Sequence, residues 1–62
     1  MTFMDMEEQV REAIQAELAR QADASRGGLV ARPAGDGRLR IEGEVDLEAL
    51  AMVVVGSLAG GP

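Results

Sequence analysis

The hydrophobic and polar positions of this chain change period twice along its length. From residue 5 to about residue 24, Met6, Val10, Ile14, Leu18 and Ala22 recur at intervals of four and form one stripe of an amphipathic helix. Glu, Gln, Ala and Arg, all good helix formers, fill most of the intervening positions. Asp5, Glu7 and Glu8 stand in the first turn, where the positive end of the helix dipole favours carboxylates, and Arg20 lies near the other end. Glu7 and Arg11 have the favourable order for an i,i+4 ion pair. Ala24-Ser25-Arg26-Gly27-Gly28 then supplies a stop, with Gly27 expected as its left-handed cap.

Between residues 29 and 45 the period falls to two. Leu39, Ile41 and Val45 alternate with Arg38, Arg40, Glu42 and Glu44, the pattern of a strand with one buried face. Gly43 takes the inward position between Ile41 and Val45, which predicts a bulge or a close backbone approach. Upstream, Leu29 to Arg32 fits a short first strand, with the turn spread over residues 33–37. Pro33 would confine that strand to an edge.

A third pattern begins at Asp46, an N-cap residue with Val45 before it and Leu50 after it in position for a hydrophobic staple. From Leu47 to Leu58 the side chains are apolar almost all round, Glu48 and Ser57 being the polar exceptions beside Gly56. A helix without a polar face is normally buried, and so short a chain has little with which to surround it. Val53-Val54-Val55 also has strand character, which leaves the last turn open. The expected fold is therefore a small α+β unit in one domain over residues 1–62: helix 5–24, a β strand or hairpin within 29–45, helix 46–58 and a frayed tail 59–62.

Composition sharpens this. The 62 residues include no Cys, His, Trp or Tyr, so disulfides and Cys/His metal sites are not available to stabilise the fold. Oligomerisation is the stabilising device that remains. The same gaps remove the imidazole base and the thiol nucleophile, and an enzyme is not expected. The formal charge of −5, without a single lysine, argues against nucleic acid as a partner. That charge is unevenly placed: net −4 over residues 1–24, +3 over 25–41 and −4 over 42–62. The amino terminus has no basic segment followed by an apolar run, and the longest apolar run, Ala49–Val55, is seven residues. Neither a signal peptide nor a membrane span is expected, and the chain reads as soluble and cytoplasmic.

Two copies of the charged strand complement each other. If they pair antiparallel about a two-fold axis at Ile41, Arg38 faces Glu44, Arg40 faces Glu42, and Ile41 faces its own copy. Shifting the register by two residues brings like charges together. The same alternation also suits a solvent-facing edge strand whose charges prevent aggregation.

Other candidate chemistry is sparse. Glu42, Glu44, Asp46 and Glu48 alternate and offer oxygen ligands to a hard cation, but the calcium-loop pattern is absent and a solvated face explains them. The glycines at 27–28 and 35–37 belong to turns, since no P-loop lysine exists. Ser25 and Ser57 have no base to activate them. Met1, Met4 and Met6 beside Phe3 make either a soft docking surface or ordinary helix packing.

Val54-Val55-Gly56-Ser57-Leu58 followed by Ala59-Gly60-Gly61 resembles the short carboxy-terminal tags by which cargo proteins dock inside encapsulin shells. The resemblance covers about eight residues, and such tags normally follow a flexible linker, whereas here a helix leads directly into the segment. The chain as a whole is also similar to small proteins carried by phages and mobile elements of GC-rich bacteria.

The expectation is a non-enzymatic homo-oligomeric assembly or adaptor protein without a cofactor or metal. Its interface and core would comprise Arg38, Leu39, Arg40, Ile41, Glu42, Glu44, Val45, Leu47, Leu50, Ala51, Val54 and Leu58. Two alternatives stand beside it. One is an acidic inhibitor or DNA mimic that covers a basic surface with Asp5, Glu7, Glu8, Glu12 and Glu17. The other is a small subunit or cargo of a larger particle, docking through its C-terminal segment.

Overall fold

The computed structural model describes residues 5–59 as a helix, an antiparallel two-strand hairpin and a second helix, a small α+β fold. The elements are α1 (Met6–Ser25), β1 (Leu29–Gly35), β2 (Arg38–Gly43) and α2 (Leu47–Ala59). The Met1–Met4 surface with Phe3, and the tail beyond Ala59, lie outside the described residues.

Helix α1 is the element against which both β1 and α2 pack. Its buried and half-buried positions include Val10, Ile14, Glu17, Leu18 and Gln21, the i, i+4, i+7, i+8, i+11 spacing of a core-facing stripe. Met6, the first residue of the expected stripe, is 64% exposed because only the later turns are covered. Asp5 precedes the helix without a side-chain cap bond. The expected Glu7–Arg11 pair does not close; among the described residues the ion pair is Glu17–Arg20.

The helix ends one residue earlier than a Gly27 cap implies. Arg26 itself takes the left-handed conformation (φ 55°, ψ 47°), and Gly27 follows, also at positive φ. Ser25 fastens this corner. Its hydroxyl donates to the Ala22 carbonyl at 2.9 Å and accepts from the Leu29 N–H at 2.9 Å, so the last turn of α1 and the first residue of β1 share one side chain.

The hairpin is longer than its composition predicts. β1 runs through Pro33 to Gly35, and the turn contracts to Asp36-Gly37, both at positive φ as a two-residue hairpin turn requires. The register pairs Leu29 with Gly43, Ala31 with Ile41 and Pro33 with Leu39 on one face, and Val30 with Glu42 and Arg32 with Arg40 on the other. A bulge between Pro33 and Gly35 absorbs the extra residue. β2 stops at Gly43, so Val45 is not in the strand but in the connection to α2, half-buried. Gly43 makes the close approach that its position predicts: at φ 118°, a Cβ there would lie 2.8 Å from Leu29 Cα and against the Gly28 carbonyl.

Asp46 caps α2 as expected, its Oδ1 accepting from the Ala49 N–H at 3.1 Å. The Val53-Val54-Val55 run is helical, and the helix continues through Ala59 into the segment expected to fray. None of its residues is buried. The fold measures only 14 Å across its thinnest direction, too little to enclose a second helix. Its buried apolar side chains, among the described residues, are Leu18 and Leu29.

Candidate functional site

The side chains that sequence reasoning assigned to one interface fall on three surfaces. The first is the outer side of α2. Ala49, Leu50, Val53, Val54 and Ser57 are half-buried, while Leu47 (72% exposed), Met52 (69%) and Val55 (62%) face outward beside exposed Ala51, and Leu58 (49%) turns toward α1. Leu50 and Val54 are thus half-covered within the described residues, and Leu47 and Ala51 stand exposed.

The second surface is an open cleft of about 630 Å³. Met6, Val10, Ile14 and Leu18 of α1 form one wall, Leu39 and Ile41 of β2 another, and Leu58 closes one end. Arg11 lies on its rim, its guanidinium 3.8 Å from where a Cβ would stand on Gly37. The cleft exists because two strands are too narrow to cover the length of a 20-residue helix.

The third is the free edge and outer face of β2, where Arg38, Arg40, Glu42 and Glu44 are all exposed. On that face Arg40 stands opposite Arg32, a like-charge cross-strand pair that weakens the hairpin by roughly 0.2–1 kcal/mol. Glu42, Glu44, Asp46 and Glu48 do not converge: the described residues hold no group of three such side chains placed to bind a metal ion.

A polar cluster inside the fold escaped sequence reasoning. Glu17 and Gln21 are buried on α1 where it meets the start of α2. The Arg20 guanidinium grips the Glu17 carboxylate with Nε and Nη2, at 2.9 and 2.6 Å, and Gln21 Nε2 adds a bond at 2.9 Å. These donors, Arg20 first and Gln21 second, hold the Glu17 carboxyl down at about 2 from its ordinary 4.5, against the opposing effect of burial. The carboxylate in turn raises Arg20 above its ordinary value. Gln21 also spans to the next element, accepting from the Asp46 N–H at 2.8 Å and donating to the Asp46 carbonyl at 3.1 Å. Among the described residues no buried side-chain nitrogen or oxygen lacks a partner. Glu17 is therefore a structural anion and not part of the solvated acidic face of Asp5, Glu7, Glu8 and Glu12.

The tag-like segment Val54–Ala59 forms the last turns of α2, without a linker before it. No helix of the described residues is long and apolar enough to cross a membrane. Comparison with protein-family models, with curated proteins and with solved structures finds no match.

Proposed function

We propose that this chain is a non-enzymatic assembly or adaptor protein that completes its fold by associating with copies of itself, through α2 and the free edge of β2. The observation that carries this reading is the outer side of α2. Three large aliphatic or thioether side chains, Leu47, Met52 and Val55, each keep more than half of their surface in water on a single 13-residue helix. Full burial of such a side chain is worth roughly 1.5–3 kcal/mol. Much of that gain remains unrealised in the single chain, and large apolar side chains exposed together on one helix face, here beside Glu48, mark an interaction site. A second copy supplies a matching face by symmetry.

Sedimentation or native mass spectrometry of the 6.5 kDa chain tests this. The expected mass is a multiple of the monomer at micromolar concentration, and Val55→Glu or Met52→Glu should shift it toward the monomer. A wild-type chain that stays a folded monomer under these conditions would sink the proposal.

An acidic antagonist of a basic surface is the second reading. It is favoured by the exposure of Asp5, Glu7, Glu8 and Glu12 near one end of α1. It predicts monomers and a capture of basic proteins that weakens steeply with salt.

A further inference from the structure

The free edge of β2 is the place where backbone and side chains specify the same partner. Pro33 has no N–H, so its pair with Leu39 is not one of the pairs that exchange two backbone hydrogen bonds. Hydrogen-bonded and non-hydrogen-bonded pairs alternate along an antiparallel ladder, which puts Ala31–Ile41 and Leu29–Gly43 in the non-bonded set as well. The N–H and C=O groups of Leu39, Ile41 and Gly43 therefore point away from β1. No other strand lies there among the described residues.

The side chains select what can fill that edge. β1 reads LVARPAG and carries no carboxylate, so the Arg32–Arg40 pair has no counter-charge on its own strand. β2 and the residue pair after it carry Arg38 and Arg40 on one side of Ile41, and Glu42 and Glu44 on the other. We infer that β2 pairs antiparallel with β2 of a second copy about a two-fold axis at Ile41, building a four-stranded sheet across the two chains. This rests on the self-association proposed above and names the contact by which it occurs.

In that sheet Ile41 and its symmetry mate exchange backbone bonds at the axis. Each Arg40 faces the second copy's Glu42 in a non-hydrogen-bonded pair, where side chains lie closer than across the bonded Arg32–Arg40 pair. Arg38 comes opposite Glu44, the first residue past the end of β2. On the inner face each Leu39 meets Gly43 of the other copy, which has no side chain to obstruct it. The hydrogen-bonding phase also permits axes at Arg40 and at Glu42, and the charges reject both. The first sets Arg40 against its own copy, and the second does the same to Glu42, a like-charge contact at the axis that Ile41 avoids.

Charge reversal and a backbone block test the pairing on the full chain. Arg40→Glu places a carboxylate against the second copy's Glu42 while removing the Arg32–Arg40 repulsion within the hairpin, so any loss of association is not a loss of folding. The dissociation constant at low salt should rise about ten-fold or more for Arg40→Glu and for Glu42→Arg, and the double reversal should recover to within about three-fold of wild type. A synthetic chain with N-methyl Ile41 loses a donor that the hairpin does not use, and it should associate as weakly as Arg40→Glu. A wild-type chain that remains a folded monomer at micromolar concentration overturns self-association and the strand pairing together. An oligomer whose affinity is indifferent to Arg40→Glu and to N-methyl Ile41 overturns the strand pairing alone.

Discussion

Gln21 is the residue on which the two helices depend most directly. It reaches from near the carboxy-terminal end of α1 to both backbone groups of Asp46, 25 positions away, at the point where α2 begins. Gln21→Met keeps nearly the same volume and removes these bonds. Each is worth roughly 0.5–1.5 kcal/mol net, so losing both costs about 1–3 kcal/mol before any effect on Glu17 is counted. A chain of this length has a total stability of about 3–9 kcal/mol, so the loss is a large share of it.

A domain near this size shifts its midpoint by about 4–8 °C per kcal/mol, and the substitution should lower the melting temperature by roughly 4–24 °C. Circular dichroism melts read this directly, provided wild type and variant are compared at one protein concentration, since association adds to apparent stability. Amide exchange locates the effect: the N–H groups of Ala49 and Leu50, which bond to Asp46, should lose protection before those of mid-α1. A fall of less than about 4 °C, with unchanged protection at those amides, would mean that water replaces Gln21 at no cost. The bridge would then be a consequence of helix packing and not a cause of it.

Two further perturbations read other parts of the fold. Glu17 titrates near 2 when folded and at its ordinary 4.5 when unfolded, so its stabilising effect is complete above about pH 4.5 and is lost as the pH falls toward 2; Glu17→Gln should flatten the acid limb of a stability-versus-pH curve over that window, and parallel curves would refute the assignment. Gly43→Ala imposes a side chain at φ 118° against Gly28 and Leu29 and should cost roughly 3 kcal/mol, whereas Gly35→Ala, at a positive φ in open space, should cost less; equal melting temperatures for the two would show that the close approach is not what requires glycine at 43.

What was legible in the chain, and what was not, divides by the distance over which a residue finds its partner. The apolar stripe of α1, the Asp46 cap and the glycine at 43 are local requirements: a period, a side chain three residues from its donor, a backbone angle that only glycine adopts easily. The hairpin was misjudged at its turn because Pro33 and Gly35 both have the composition of a loop. In the fold Pro33 occupies a ladder position that needs no N–H, and Gly35 closes a bulge, so the turn itself is only Asp36-Gly37. Arg26 took the left-handed cap in place of Gly27 because Ser25, one residue earlier, is anchored to both Ala22 and Leu29.

Glu17 and Gln21 were beyond any local pattern. A glutamate and a glutamine in an acidic helix read as solvated, and one half of the reason they are buried is the backbone of Asp46. A signal was nevertheless present at the level of spacing, for Glu17 and Gln21 sit three and seven residues after Ile14, on the flank of the stripe that α2 must cover. The same limit applies to the outer surfaces. Leu47, Met52 and Val55 are apolar and largely uncovered by the described residues, just as Glu17 and Gln21 are polar and buried. A residue type that disagrees with its surroundings within one chain is explained either by a distant part of that chain, as for Gln21, or by another molecule. For α2 and for the charged edge of β2, no distant part of the described residues supplies that partner.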